Sequence, residues 1–248
     1  MGKRITALIT GRGNNELPNK NILDILGKPI LAYPAMAAKN SPLISGWYCS
    51  SDDEKILDIA ESEGYKRIVR PKEFALPTSQ HVDCIMHALD ELNSKGELPD
   101  IIVVILANNV TVKSEWITDC IKIMYDNMNI TAVVPVYSDN DHHPLRAKGI
   151  NEDGSLCTYI KNMNDNISTN RQSLPPCYFL AHNFWVLNVE NMLSNKDGQQ
   201  PWTFMGDIIY PYVIEESIDI HTERDLLRAK IWIEDNYTDW QDKSISHK

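Results

Sequence analysis

"RITALITGRGNNELPNKN", residues 4–21, decides how the rest of the chain is read. Its first seven residues are an apolar run that ends at a glycine, the pattern of a short buried strand. The eleven that follow, Gly11 to Asn21, hold two glycines, four asparagines, Arg12 and Lys20. Beyond them the chain alternates. Strand patterns recur at "GWYCSS" (46–51), "RIV" (67–69), "DIIVVILA" (100–107) and "ITAVVPVY" (130–137). Helix patterns fall at 27–40, despite Pro29 and Pro34, and at 52–64, 79–96, 114–127 and 222–237. Strands alternating with helices predict a three-layer α/β fold around a mostly parallel sheet. In such sheets ligands bind beyond the C-terminal ends of the strands. The Gly11–Asn21 loop leaves the first strand at that end, which makes it a site candidate.

The totals narrow the classes. The chain has 248 residues, enough for one large domain, or one with a smaller appendage. Residues 138–180 are polar and turn-rich and read as an inserted arm, 178–193 return to core, and 241–248 read as a frayed tail. The 34 acidic residues outnumber 24 basic ones, for a formal net charge of -10. That excludes a broad nucleic-acid-binding face, so any anion site must be local. Five cysteines, at 49, 84, 120, 157 and 177, form no C-x-x-C pair and read as reduced, mostly buried thiols of a cytoplasmic protein. No signal peptide and no membrane span is expected. The sequon matches at 166 and 236 carry no meaning without secretion.

The loop itself has neither G-x-x-x-x-G-K-[ST] nor G-x-G-x-x-G. It offers close backbone approach at Gly11 and Gly13, a guanidinium fork at Arg12 and a point charge at Lys20. That combination suits a polyphosphate. An Asn-rich turn between a strand and a helix is the plainer alternative.

Several further blocks bear on that choice. "GRGNNELPNKNILDILGKPILAYPAMAAKNS" is similar to the opening of the CMP-acylneuraminate cytidylyltransferase family, R-G-G-S-K-G-x-P-x-K-N followed by G-K-P-L. "SSDDEKILDIAESEGYKRIVRPKEFALPTS" resembles that family's S-x-D-D-E helix and R-P-x-x-L-A block. "HHPLR" (142–146), "NRQSLPP" (170–176) and "SIDIHTERDLLRAK" (217–230) resemble its H-H-P-x-K, R-Q-x-L-P and I-D-I-D-T-E-x-D segments. The blocks occur in order over nearly the whole chain. The resemblance implies one Rossmann-like nucleotidyltransferase domain over 1–248, with 138–180 as a dimerisation arm that reaches a partner's site. It implies CTP and a 2-keto-3-deoxy sugar acid as substrates, a divalent cation, Mg²⁺ or Mn²⁺, and a homodimer.

The same resemblance suggests roles. Arg12 and Lys20 would hold phosphate oxygens, with Gly11, Gly13 and Asn21 in the nucleotide cradle and His81 where the family has a serine near the triphosphate. Asp52 would orient base or ribose, unless it is a helix cap. Arg146, Arg171 and Asn183 are the candidate acceptor contacts, the two arginines having a surface role as their alternative. His142 and His143 are expected to be structural. Asp219 would bind the metal, but the family's second aspartate is His221 here. Either His221 touches metal-bound water, or the ion is Mn²⁺, or another carboxylate joins Asp219; an exposed histidine beside a helix cap is the bland alternative. Further departures cluster around the acceptor: Ala107 stands where the family has glutamine, "AHN" (181–183) replaces N-G-A, and Glu16 stands near the position of the family's first loop lysine. An altered acceptor, a nucleotide-binding protein without turnover, and a transferase using UTP or GTP therefore stay open.

Overall fold

The computed structural model describes residues 2–161, 167–194 and 197–237. The tail expected to fray and the asparagine of the first sequon lie outside them. In chain order the elements are β1 (Ile5–Thr10), the small hairpin β2 (Asp24–Ile25) and β3 (Lys28–Pro29), α1 (Ala32–Lys39), β4 (Gly46–Ser51), α2 (Glu54–Ser62) and β5 (Lys66–Val69). There follow α3 (His81–Ser94), β6 (Ile101–Leu106), α4 (Ser114–Asp126) and β7 (Ala132–Ser138). The arm carries a second hairpin, β8 (Lys148–Ile150) and β9 (Leu156–Thr158). The chain then runs through β10 (Tyr178–Leu180), β11 (Phe184–Asn188), α5 (Val189–Ser194), β12 (Ile209–Val213) and α6 (Glu223–Asn236).

One sheet organises the fold. β5, β4, β1 and β6 are parallel neighbours, β11 pairs antiparallel with both β6 and β7, and β12 lies parallel to β7. Alternation along the strands sorts side chains onto two faces. Ile5, Ala7 and Ile9, with Ile101, Val103 and Ile105, pack under α1, α2 and α4. Leu8, Ile102, Val104 and Trp185 pack under Ile85, Leu89 and Leu92 of α3. Each of the larger aliphatic side chains contributes ~1.5–3 kcal/mol by leaving water, so the two faces hold the strand register. The expected three-layer α/β fold is what forms.

Prolines mark where the pattern bends. The segment read as a helix from 27 begins as the β2–β3 hairpin, and α1 starts at Ala32; Pro34 falls in its first turn, where no helical partner for its N–H is lost. Pro135 sits inside β7, a position that normally excludes proline from a sheet. Val136 pairs with Leu180 of β10 while Val133 pairs with Val186 of β11, so three residues, Ala181–Asn183, bulge out of the ladder beside Pro135. At the far side Pro211 occupies the middle of β12, which pairs only with β7 among the described residues.

α6 closes the molecule. Its Ala229, Trp232 and Ile233 pack with Ile30, Tyr33, Ile218 and Ile220. Thr222 and Asp225 cap it reciprocally. This packing holds the extended segment before α6 against the end of β6, where Asp219 bridges to Asn109.

The five cysteines are free, with Cys49, Cys84 and Cys120 buried. Among the described residues no helix is long and apolar enough to cross a membrane.

Candidate active site

A cavity of about 260 Å³ opens at the C-terminal ends of β1 and β6, capped by the start of α3. Of its charged lining residues, Arg12, Lys20 and Arg70 are cations and Asp219 is the one carboxylate. In a chain of net charge -10 this is a concentrated local reversal of sign. The N-terminus of α3 adds the backbone amide of His81, while that of Gln80 is taken by the Asp83 carboxylate at 3.0 Å.

The asparagines of the first loop hold its shape. Asn15 and Asn21 both donate their amides to the carbonyl of Arg12, at 2.7 and 3.0 Å. Asn19 takes the left-handed conformation (φ 57°), which asparagine tolerates, and turns the chain into the short helical turn carrying Lys20 and Asn21. Gly11 lies so close to its neighbours that a Cβ would come 3.0 Å from Cβ of Ala107 and 3.1 Å from the Asn21 amide. Gly13 is pressed against Asp53 in the same way, at 2.7 Å. The loop is thereby drawn onto the sheet edge with Arg12 over the cavity, where its guanidinium donates to the Leu76 carbonyl at 3.0 Å.

Lys20 is only 8% exposed. Burial pushes its ammonium below the ordinary value, and the Asp219 carboxylate pulls it back up. Its Nζ lies 3.4 Å from Nδ1 of His221, whose Nε2 faces Asp219 Oδ2 at 3.0 Å. Asp219 also accepts from the Asn108 side chain. Lys20, His221 and Asp219 thus form one connected polar line across the cavity wall. Among the described residues no third His, Cys, Asp or Glu joins the Asp219–His221 pair. Asp225, the nearby carboxylate of the same segment, accepts from the backbone of His221 and Thr222 and is committed to the helix cap.

His81 heads α3. Its Nε2 meets the Thr10 hydroxyl at 2.9 Å and its ring packs on Trp185. Burial, with Arg70 and His182 adding to it, pushes its pKa down to about 4, so at neutral pH the ring is uncharged and works as a hydrogen-bonding partner.

The candidate residues divide. Gly11, Arg12, Lys20, Asn21, His81, Asp219 and His221 all line the cavity. Asp52 does not. Its carboxylate accepts from the Gly13 amide at 3.0 Å and clamps the loop, while the cap of α2 is Asp53. Asn183 is corrected too: it is fully buried, gives its amide to the Thr111 carbonyl at 2.9 Å and accepts from the Phe184 amide at 2.7 Å. It pins the bulge, and its full burial keeps it out of reach of an acceptor. Arg146 and Arg171 stand away from the cavity on the arm, both near Asp141, which Arg171 meets at 2.7 Å. His143 is buried and bonds within the arm, and His142 pairs with Asp139.

Two lining or neighbouring groups were not anticipated. Arg70 is buried, holds the Ser50 carbonyl at 2.6 Å, and faces the cavity. A cation at the C-terminal end of a parallel strand was the available signal. His182 is delivered by the bulge, its ring against Trp185 and Trp202. Burial lowers its pKa, with Asp219 opposing.

Comparisons with known proteins give the family and the fold. A family model described as cytidylyltransferase matches residues 7–247. A pseudaminic acid cytidylyltransferase of Campylobacter jejuni is 35% identical over 89 residues, which are 36% of this chain and 38% of that protein. The chain therefore matches little more than a third of that relative's length. A CMP-N,N'-diacetyllegionaminic acid synthase of Legionella pneumophila is 25% identical over 228 residues, 90% of this chain and 93% of that one. Among solved structures, a CMP:2-keto-3-deoxy-manno-octonic acid synthetase complexed with CTP shares the fold at a TM-score of 0.68 and 12% identity, over 94% of this chain and 99% of its own. With the cation-lined cavity at the strand ends and a family match over almost its full length, the chain belongs to the cytidylyltransferase family.

Proposed function

We propose that the protein transfers CMP from CTP to a 2-keto-3-deoxy sugar acid, with a nonulosonic acid as the leading acceptor, and releases pyrophosphate. The observation that carries this is the ring of Arg12, Lys20 and Arg70 around one cavity of an acidic chain. In the reaction the acceptor's anomeric oxygen forms a bond to the α-phosphorus. The bond from that phosphorus to the bridging oxygen breaks, pyrophosphate leaves with the electron pair, and the hydroxyl proton is released. Such a step depends on positioning and on neutralising phosphate charge. Arg12 and Lys20 supply the fork and the point charge, Arg70 a third cation fixed by Ser50, and the start of α3 the His81 amide. His81, uncharged, helps fix Thr10 at the end of β1.

Members of this class work with a divalent cation. Asp219 and His221 would hold it, a hard oxygen and an imidazole nitrogen, with the triphosphate and water completing the set; bound there, it would neutralise phosphate charge. Few protein ligands suit Mg²⁺, while the imidazole favours Mn²⁺. Kdo-like octulosonates and phosphonates are alternative acceptors, because a methyl group, Ala107, lies under Gly11 where a glutamine was expected. Arg146 and Arg171, both turned from the cavity, support a homodimer in which the 138–180 arm serves the partner's site. The free thiols favour the cytoplasm as the place of action.

Pyrophosphate release is the test, with CTP, UTP or GTP, Mg²⁺ or Mn²⁺, and a panel of nonulosonic, octulosonic and phosphonic acids. Release with CTP and a nonulosonic acid is expected. Release only with another nucleotide would replace the substrate, and CTP binding without release on any acceptor would make this a non-catalytic relative. Light scattering should give the mass of a dimer; a monodisperse monomer would refute that part.

A further inference from the structure

The bulge beside Pro135 brings one imidazole, that of His182, to the rim of the candidate active site. Its carbonyl accepts from the Asn109 side chain at 2.8 Å, and the backbone of Asn109 bridges to Asp219. One residue therefore ties His182 to the segment that carries Asp219 and His221. His182 and His81 pack on the same ring, that of Trp185, with centroids 6.0 and 5.2 Å away. His81 lines the cavity, and His182 stands just outside it. The charges of Asp219 and His221 reach His182, and its own reaches His81.

The ring is held but unused. Trp185 meets it edge-on at 72°, and Trp202, from the loop between α5 and β12, lies 5.6 Å away at a tilt of 59°. Phe204 of the same loop packs on Trp185 at 5.9 Å. These contacts fix the plane of the imidazole and hence the direction of its nitrogens. Among the described residues neither nitrogen has a hydrogen-bond partner, and neither is sealed from solvent in the way that Nδ1 of His87 is. By contrast, His81 spends Nε2 on Thr10, and His221 meets Lys20 and Asp219 with its two nitrogens.

The chemistry of such a ring is narrow. Burial lowers its pKa, so at neutral pH it is uncharged. A neutral imidazole offers one donor and one acceptor, and a hydroxyl or an amide can answer either. A carboxylate matches it poorly, since it would answer the donor alone and would stand near Asp219. Arg12, Lys20 and Arg70 suit phosphate charge, which leaves the neutral groups of an acceptor to be read by other side chains.

We propose that His182 is a specificity-determining residue of the transfer reaction, hydrogen-bonded to a hydroxyl or amide of the acceptor acid. The proposal rests on the CMP transfer given above and names the side chain that chooses among acceptors of that class. A site built to hydrogen-bond such a group discriminates against an analogue that lacks it, because its own polar atom is then left unpaired.

The test is pyrophosphate release by the full chain with CTP, Mg²⁺ and, in turn, N-acetylneuraminic, legionaminic, pseudaminic and 2-keto-3-deoxy-manno-octonic acid. His182→Phe keeps a ring between the two tryptophans and removes both nitrogens. His182→Gln returns a donor and an acceptor without the ring, and His182→Ala serves where His182→Phe does not fold. With the acid that the parent uses best, His182→Phe should lower kcat/KM for the acid by roughly 3- to 10-fold, the worth of one neutral hydrogen bond. The KM for CTP and the Mg²⁺ requirement should stay unchanged, and His182→Gln should recover part of the loss. An unchanged kcat/KM on every acid in the folded variant would overturn the proposal and leave CMP transfer standing. So would a loss shared equally by CTP or by the Mg²⁺ requirement, or no recovery in His182→Gln. A folded parent that releases no pyrophosphate with any of the four acids would remove the reaction itself, and this role with it.

Discussion

Replacing Lys20 by methionine removes one charge at nearly constant volume. Two effects compete in the empty protein. The ammonium is held in a place where burial disfavours it, and Asp219 offsets that only in second place. Removing the charge therefore relieves a desolvation cost larger than the attraction it loses, and the Lys20→Met protein should fold at least as stably as the parent. With CTP present the balance reverses. A charge-assisted hydrogen bond to phosphate is worth roughly 1.5–3 kcal/mol, and each 1.4 kcal/mol is tenfold. The expected loss in kcat/KM for CTP is roughly 10- to 150-fold. Pyrophosphate release over a range of CTP concentrations reads the loss, and a thermal melt without ligand reads stability. An unchanged kcat/KM in a folded Lys20→Met protein would refute the assignment of Lys20 to phosphate. A large drop in melting temperature would refute the balance drawn between burial and Asp219.

Other outcomes follow from the same geometry. Gly11→Ala should push the loop off Ala107 and Asn21, with a stability cost of about 1–3 kcal/mol and weaker CTP binding by calorimetry; unaltered binding would mean the loop has slack. His81 has a folded pKa depressed to about 4, so below its ordinary 6.5 the unfolded chain binds a proton that the folded chain refuses. Stability should then fall as pH drops from 6.5 towards 4, by at most ~3 kcal/mol, and His81→Gln should flatten that part of a urea-denaturation series. Asn109→Leu leaves the His182 carbonyl, the Ser217 hydroxyl and the Thr111 amide without their partner, and should cost more than ~2 kcal/mol by the same assay. Asp219→Asn should abolish activity and the metal dependence together; full activity would place the ion elsewhere.

The alternation of apolar runs and amphipathic stretches carried most of the architecture, because strand and helix periods differ and both faces of the sheet are covered. "GWYCSS" is β4 to the residue. The loop was legible as a site because its residue types are costly anywhere else. What periodicity could not convey was geometry made by distant segments. Pro29 hid a hairpin inside an apolar stretch. The bulge at Ala181–Asn183 answers Pro135, almost fifty residues earlier, so no local pattern announces that His182 turns towards the site while Asn183 is swallowed by the core. Arg70 reads as an ordinary strand end until Ser50 of the neighbouring strand is seen to fix it.

Pro211 bears on how this protein behaves when concentrated. Ile208 and Ile214, which flank β12, hydrogen-bond to β7 and its approach, so the even-numbered residues face that neighbour and the odd ones turn their backbone groups to the open side. Ile208, Tyr210 and Val213 are also exposed there. Such an edge is a template for another chain to add a strand and start a fibril. Proline at its centre withholds the donor that the added strand would need. A protein carrying valine at 211 would keep its fold and gain a sticky margin, so this one ring guards solubility at the border of the sheet.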